Sequence, residues 1–299
     1  MKLRVVVLFL IAFFCLTNTL FALNWITLHE RADRESIDSA SLGIKGQPAS
    51  IDNLYVLGLV FFNLHKDEEA KNIFLKILKL APKTIEAEWG VAEALRRMHR
   101  IDEAEPILER VIRENPEFTP AYISLAYIKY LRMDFKESVR LSLMVIQRGR
   151  AASDLSNYTR AYAMYAGAKG MIAHYGGPLS KAVNGLAVKP NLDKAQRLQP
   201  QSPAVLFGLG SYYFLAPVVA GGDKVKAEAY LRQVIEVNPL FTDAYVRLAQ
   251  LYKIRGDSER YNFYINQASR IDPKNTLLLD HKSGKCRFIC SGGEEKVKP

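Results

Sequence analysis

The sequence is poor in the residues that carry most enzyme chemistry. Three cysteines and five histidines in 299 residues exclude a disulfide-built miniprotein and leave little room for a site of several metal ions. No phosphate-binding GxxxxGK[ST] loop, HExxH string or GxSxG string occurs. Gly208-Leu209-Gly210 lacks the third glycine and the preceding strand that a dinucleotide loop needs. No catalytic residue, metal ligand or cofactor is therefore expected. Acids are also in deficit, 31 against 41 basic residues, for a net charge of +10. Such an excess points to nucleic acid, an anionic surface or an acidic partner. The 49% apolar and 24% charged content is that of a globular chain and excludes a disordered or collagen-like one.

The longest apolar run lies at the amino terminus. Lys2 and Arg4 precede twelve apolar residues, 5–16, and Leu20-Phe21-Ala22 follows after a polar break at Thr17-Asn18-Thr19. Twelve residues suit the apolar core of a secretory signal and fall short of a membrane span of ~20. Residues 1–22 are expected to be a signal peptide cleaved near Ala22. Retention as an anchor is the alternative, with residues 5–23 spanning the bilayer if Asn18 is tolerated. Bulky Phe14 directly before Cys15 argues against lipid attachment. Cleavage removes two positive charges and no acid, leaving +8. The chain is expected in the periplasm or cell envelope, without stable membrane insertion once cleaved. An exported basic chain rarely meets nucleic acid, so none is expected as a partner.

A period of 34 residues organises the rest. Pro82 and Pro116 stand 34 apart, as do Pro239 and Pro273, each closing a similar string: ILKLAP, VIRENP, VIEVNP and ASRIDP. Proline cannot continue a helix and biases the residue before it away from helical geometry. Counting back aligns five units, residues 51–84, 85–118, 119–152, 203–241 and 242–275. Gly58, Ala92, Ala126, Gly210 and Ala249 recur at one position, and Ala70, Ala104 and Ala227 at another. Small residues there let the two helices of a hairpin approach. The fourth aligned unit carries five extra residues in its turn, around 216–223.

The pattern resembles the tetratricopeptide repeat (TPR) family over residues 51–152 and 203–275. The resemblance implies an all-α helix-turn-helix superhelix of five to six hairpins, each covering its neighbour's apolar face. Tyr261 departs from it, standing where the family has a small residue. Residues 23–50 read as a short helix and loop. Residues 153–202 read as a degenerate repeat with an elongated connection, interrupted at Gly176-Gly177-Pro178. Residues 276–299 read as a mobile tail. A second likeness covers about 80 residues, carried by Leu209-Gly210-Ser211-Tyr212-Tyr213, Pro217, Gly221-Gly222-Asp223 and Lys226-Ala227. This stretch resembles the periplasmic TPR component of tripartite ATP-independent (TRAP) solute transporters.

In TPR proteins the first helix of each hairpin lines a concave groove. Carried onto this chain, that geometry brings together Tyr55, Phe62, Trp89, Arg96, Arg97, Tyr127, Tyr130, Phe207 and Phe214. So aromatic a surface is either buried by the chain's own segments, 23–50 or 153–202, or holds an apolar peptide or small hydrophobic ligand with Arg96 and Arg97 on an anionic group. The family's carboxylate clamp is not expected, because Tyr55 and Leu59 stand where it needs Lys and Asn. His65 and His99 occupy one repeat position, where Gly256 stands later, and read as turn residues rather than metal ligands. Cys286 and Cys290 are four apart, too far to bond within a helix, so a disulfide needs a turn there; paired and free thiols both remain open. The reading is a non-enzymatic scaffold binding another envelope protein through this groove. The alternative is the ligand-binding component of a TRAP-type uptake system, with a small apolar or amphipathic ligand.

Overall fold

A computed structural model describes residues 23–45 and 50–290, and every regular element among them is helical. Helices α1 (Trp25–Ala32) and α2 (Ile37–Lys45) precede three hairpins: α3 (Ile51–Asn63) with α4 (Asp67–Leu80), α5 (Ile85–Arg97) with α6 (Ile101–Glu114), and α7 (Thr119–Leu131) with α8 (Phe135–Arg148). Next come α9 (Leu155–Tyr175), α10 (Pro178–Leu186) and α11 (Val188–Leu198). Two further hairpins, α12 (Pro203–Leu215) with α13 (Lys224–Val237) and α14 (Thr242–Ile254) with α15 (Ser258–Ile271), lead to α16 (Thr276–Lys282). The expected signal peptide, residues 1–22, lies outside the described residues. No described helix is long and apolar enough to cross a membrane.

The prolines act as the sequence predicts. Helices α4, α6, α13 and α15 each stop two residues before a proline, and the intervening Ala81, Asn115, Asn238 and Asp272 are extended. Gln199 before Pro200 adopts the same geometry, so α9 and α11 close the middle segment like the other hairpins. The Gly176-Gly177-Pro178 break does not end helical structure. Gly177 caps α10, and Pro178 takes the first helical position, where its missing N–H is no loss. Ala161, Ala166 and Ala168 of α9 are fully buried, and the helix packs against α8, α11 and α12.

The small residues work by contact. The Phe74 ring is fully buried, and a Cβ at Gly58 would lie 2.7 Å from it. On its other side a Cβ at Gly90, a position the repeat alignment did not single out, would lie 2.3 Å away. One phenylalanine therefore joins its own hairpin to the next. The turn between paired helices uses a left-handed residue at His65, His99, Met133 and Gly256 (φ +56°, +64°, +65° and +73°). The first three stand one repeat apart, so this geometry recurs whatever side chain occupies it. In the longer turn Gly222 is required: a Cβ there would lie 1.9 Å from the Ala216 carbonyl oxygen.

The array winds far enough for its ends to meet. Asn238 Nδ2 donates to His65 Nε2 at 3.0 Å, and His99 Nε2 lies 2.9 Å from Asp272 Oδ2. Turns of the first two hairpins thus touch the ends of the last two and enclose a channel of about 2400 Å³.

Residues 276–290 are not a mobile tail. Leu278 is fully buried, Asn275 caps α16, and the following loop packs into the channel mouth. Its polar composition misled because its burial comes from long-range contacts.

Candidate partner-binding channel

The amino-terminal end of the concave surface is closed by the chain itself. Helix α1 lays Trp25 against Phe118 (ring centres 5.1 Å apart) and His29 against Trp89 (5.2 Å), while His29 Nε2 and the Tyr55 hydroxyl lie 3.0 Å apart. Tyr55 is fully buried and does not line the channel, which corrects its assignment to the groove. Its place is in the core beside Phe74. Phe62, Trp89 and Phe214 border the channel but are themselves buried. Tyr127, Tyr130 and Phe207 are half-buried in its wall.

The two arginines expected to meet an anion are already paired. Arg96 grips Glu93 with two nitrogens, at 2.6 and 2.8 Å, and stacks over the Tyr127 ring at 4.5 Å. Arg97 donates to Asp67 at 2.5 Å and to the Phe62 carbonyl at 2.7 Å. The Arg96–Glu93 pair is bidentate and Arg97 is held by one carboxylate and one carbonyl, which leaves little unopposed attraction for an outside anion. Burial alone would raise the Glu93 pKa, but Arg96 and the Ser124 hydroxyl bring it down to about 2. Ser124 links the pair to the ring system, donating to Glu93 at 2.7 Å and accepting from Trp89 Nε1 at 3.0 Å.

The cation that sequence reasoning missed is Arg247. It is 4% exposed and borders the channel, and no carboxylate among the described residues forms an ion pair with it. It donates to Gln250 Oε1 at 2.8 Å, to the Phe288 carbonyl at 2.7 Å and to the Ile289 carbonyl, while its Nε has no partner. Burial lowers its pKa. Its signal in the sequence is weak: Arg247 stands four residues after Asp243, one turn along the same side of α14, but outside the repeat positions that face the groove.

Cys286 and Cys290 are bonded to each other. The turn this needs comes from left-handed backbone at Gly284, Cys286 and Ile289. Phe288 stacks on Tyr130 at 5.7 Å, and burial pushes the Tyr130 phenol up to about 12. Among the described residues no group of three His, Cys, Asp or Glu side chains gathers in a way that would hold a metal ion.

The buried His29 is expected to make the amino-terminal closure sensitive to pH. Burial lowers its pKa, and Asp154 opposes this only in part. A depressed histidine contributes stability above its unfolded pKa and loses it as pH falls through the folded value. Between pH 7.5 and 5.5 the melting temperature of the parent chain is expected to fall, and that of His29→Gln to fall less. Parallel melting profiles by circular dichroism would contradict this.

The fold and channel define a class: a solenoid of helical hairpins wound around an aromatic channel, with its ends in contact. A family model for the tetratricopeptide repeat matches residues 51–84 and 242–275, so the first and last of the five aligned units are tetratricopeptide repeats. Comparison with curated protein sequences finds no match. Among solved structures it is similar to the human IFIT1 dimer with m7Gppp-AAAA, at 15% identity and a TM-score of 0.55, covering 84% of this chain and 60% of that one. A tetratricopeptide repeat protein from Parabacteroides merdae matches at 13% identity and a TM-score of 0.52, over 88% of this chain and 99% of that one. The APC/C hetero-tetramer Cut9-Hcn1 matches at 12% identity and 0.53, over 90% and 57%. At these identities the likeness is one of fold. The resemblance to the transporter component gains no support from these matches.

Proposed function

We propose that this chain is a non-catalytic scaffold, exported to the cell envelope, that receives a segment of another envelope protein in its channel. The observation that carries the reading is the channel's size together with its chemistry. About 2400 Å³ exceeds the roughly 300–1,000 Å³ of pockets that enclose small ligands, and suits a peptide segment better than a solute. Its wall offers aromatic rings, while the charges of Arg96 and Arg97 are spent inside the molecule. The signal-like apolar run of residues 5–16 supports the location, and amino-terminal sequencing of the secreted protein tests it, with residue 23 expected first.

Tyr127 and Phe207 are the residues to change. Trp89 is a poor probe, since its ring is 5% exposed and packs against four other aromatic side chains. Pull-down from envelope extract with Tyr127→Ala/Phe207→Ala is expected to recover at least tenfold less partner than the parent chain. Equal recovery by both would refute the channel as the binding surface.

A further inference from the structure

The loop at residues 284–290 sits where the end of a partner segment would sit. Phe288 is 3% exposed and lies over Tyr130 with the ring planes 22° apart. Its carbonyl and that of Ile289 are held by Arg247, its N–H donates to Asp280 at 3.0 Å, and Tyr175 donates to the Arg287 carbonyl at 2.6 Å. An aromatic side chain in the groove with main-chain groups on the walls is how a helical-repeat surface would hold a foreign peptide. Here the peptide belongs to the chain.

The loop's shape is one an open chain does not favour. Cys286 and Ile289 both have left-handed backbone (φ +49° and +60°), which a Cβ disfavours and a β-branched residue disfavours most. The Cys286–Cys290 bond closes five residues around these two positions and restricts the alternatives. Beneath the loop, Arg247 forms no ion pair with a carboxylate among the described residues, Asp243 and Asp280 acting on it only from a distance, and one of its nitrogens is already without a partner. If the loop leaves, a buried cation loses both carbonyls and attracts whatever supplies them again.

We propose that residues 284–290 are a built-in competitor for this end of the channel, held in place by the disulfide and released when a dithiol reduces it. This rests on the channel being the partner site. In the exchange a thiolate of the dithiol attacks one sulfur of the bond, and its second thiol resolves the mixed disulfide. Cys286 and Cys290 gain two electrons and two protons as thiols, and the reductant leaves as a disulfide. The subsite takes a segment with an aromatic side chain for Tyr130 and adjacent main-chain carbonyls for Arg247.

Two measurements on the full-length chain test this. Trypsin can cut after Lys285 and Arg287, both inside the loop. Reduction with dithiothreitol is expected to raise cleavage at these two bonds at least tenfold while circular dichroism stays unchanged; no increase would overturn the competitor. In the second, a fluorescent, disulfide-closed peptide of residues 283–290 is titrated without reductant onto the parent and onto Cys286→Ser/Cys290→Ser. The variant is expected to bind it at least tenfold more tightly. Adding Arg247→Met to the variant, or Phe288→Ala to the peptide, is expected to remove that gain. Equal binding by parent and variant, or none by either, would overturn the proposal. Neither readout needs the envelope partner, so a failed pull-down counts against the scaffold reading and a failed titration against the competitor.

Discussion

Phe74→Ala is expected to destabilise the chain by about 3–5 kcal/mol, the range for removing a buried aromatic ring. The ring has no solvent exposure and contacts Tyr55, Phe62 and Trp89, with centres 5.6, 5.4 and 6.4 Å away. Two of the ring's neighbours have nothing to move into the space. Gly58 and Gly90 flank the ring from two successive hairpins, and neither has a side chain to move inward. The damage therefore falls on the joint between hairpins, which an array relies on for cooperative unfolding. Both tryptophans, Trp25 and Trp89, belong to this amino-terminal core, so their fluorescence reports this half of the chain. Urea unfolding followed that way should show a midpoint far below the parent's. A loss under about 1 kcal/mol would contradict the joint. The converse, Gly90→Ala, places a methyl group inside the ring's space and should cost about 1–3 kcal/mol through overpacking.

Glu93→Gln is expected to be comparably severe. Glu93 and Arg96 side chains are 9% and 15% exposed, so the pair is largely out of water. Removing one charge leaves the other without compensation, at about 3–5 kcal/mol. The pH dependence gives the test its sign. The folded-state pKa of Glu93 is lowered from 4.5 to about 2, so its contribution is present above 4.5 and disappears as pH falls toward 2. Parent and variant should differ most in urea midpoint at pH 7 and converge as the pH is lowered through that window. A constant difference would show that the carboxylate's charge is not what matters.

Much of the fold was legible because it is local and repeated. The 34-residue spacing of Pro82 and Pro116, and of Pro239 and Pro273, marks helix ends through a steric rule that needs no tertiary contact. Glycine at 58 and 210 was legible for a similar reason: a Cβ at either would meet a side chain of the paired helix, Phe74 or Leu231. Part of the channel wall followed from repeat geometry, since Tyr127, Tyr130 and Phe207 do line it. Its two ends were not legible. Whether Tyr55 faces solvent depends on α1 folding back to place His29 on it, and no period encodes that. The partners of Arg96 and Arg97 were equally hidden. Glu93 is three residues from Arg96, but Asp67 reaches Arg97 only once α4 packs on α5. The carboxyl-terminal loop reads as polar linker because what buries it, Tyr130, Tyr175 and Arg247, comes from three separate hairpins.

The central claim is that the channel, and not the outer surface, receives the partner. Photo-crosslinking in envelope extract tests it most directly, with benzoylphenylalanine placed at Phe207 in the channel wall or at Phe263, which is 55% exposed and lies outside the channel. A discrete adduct from position 207, absent from position 263, is the predicted result. An adduct from 263 alone, or equal adducts from both, would contradict it.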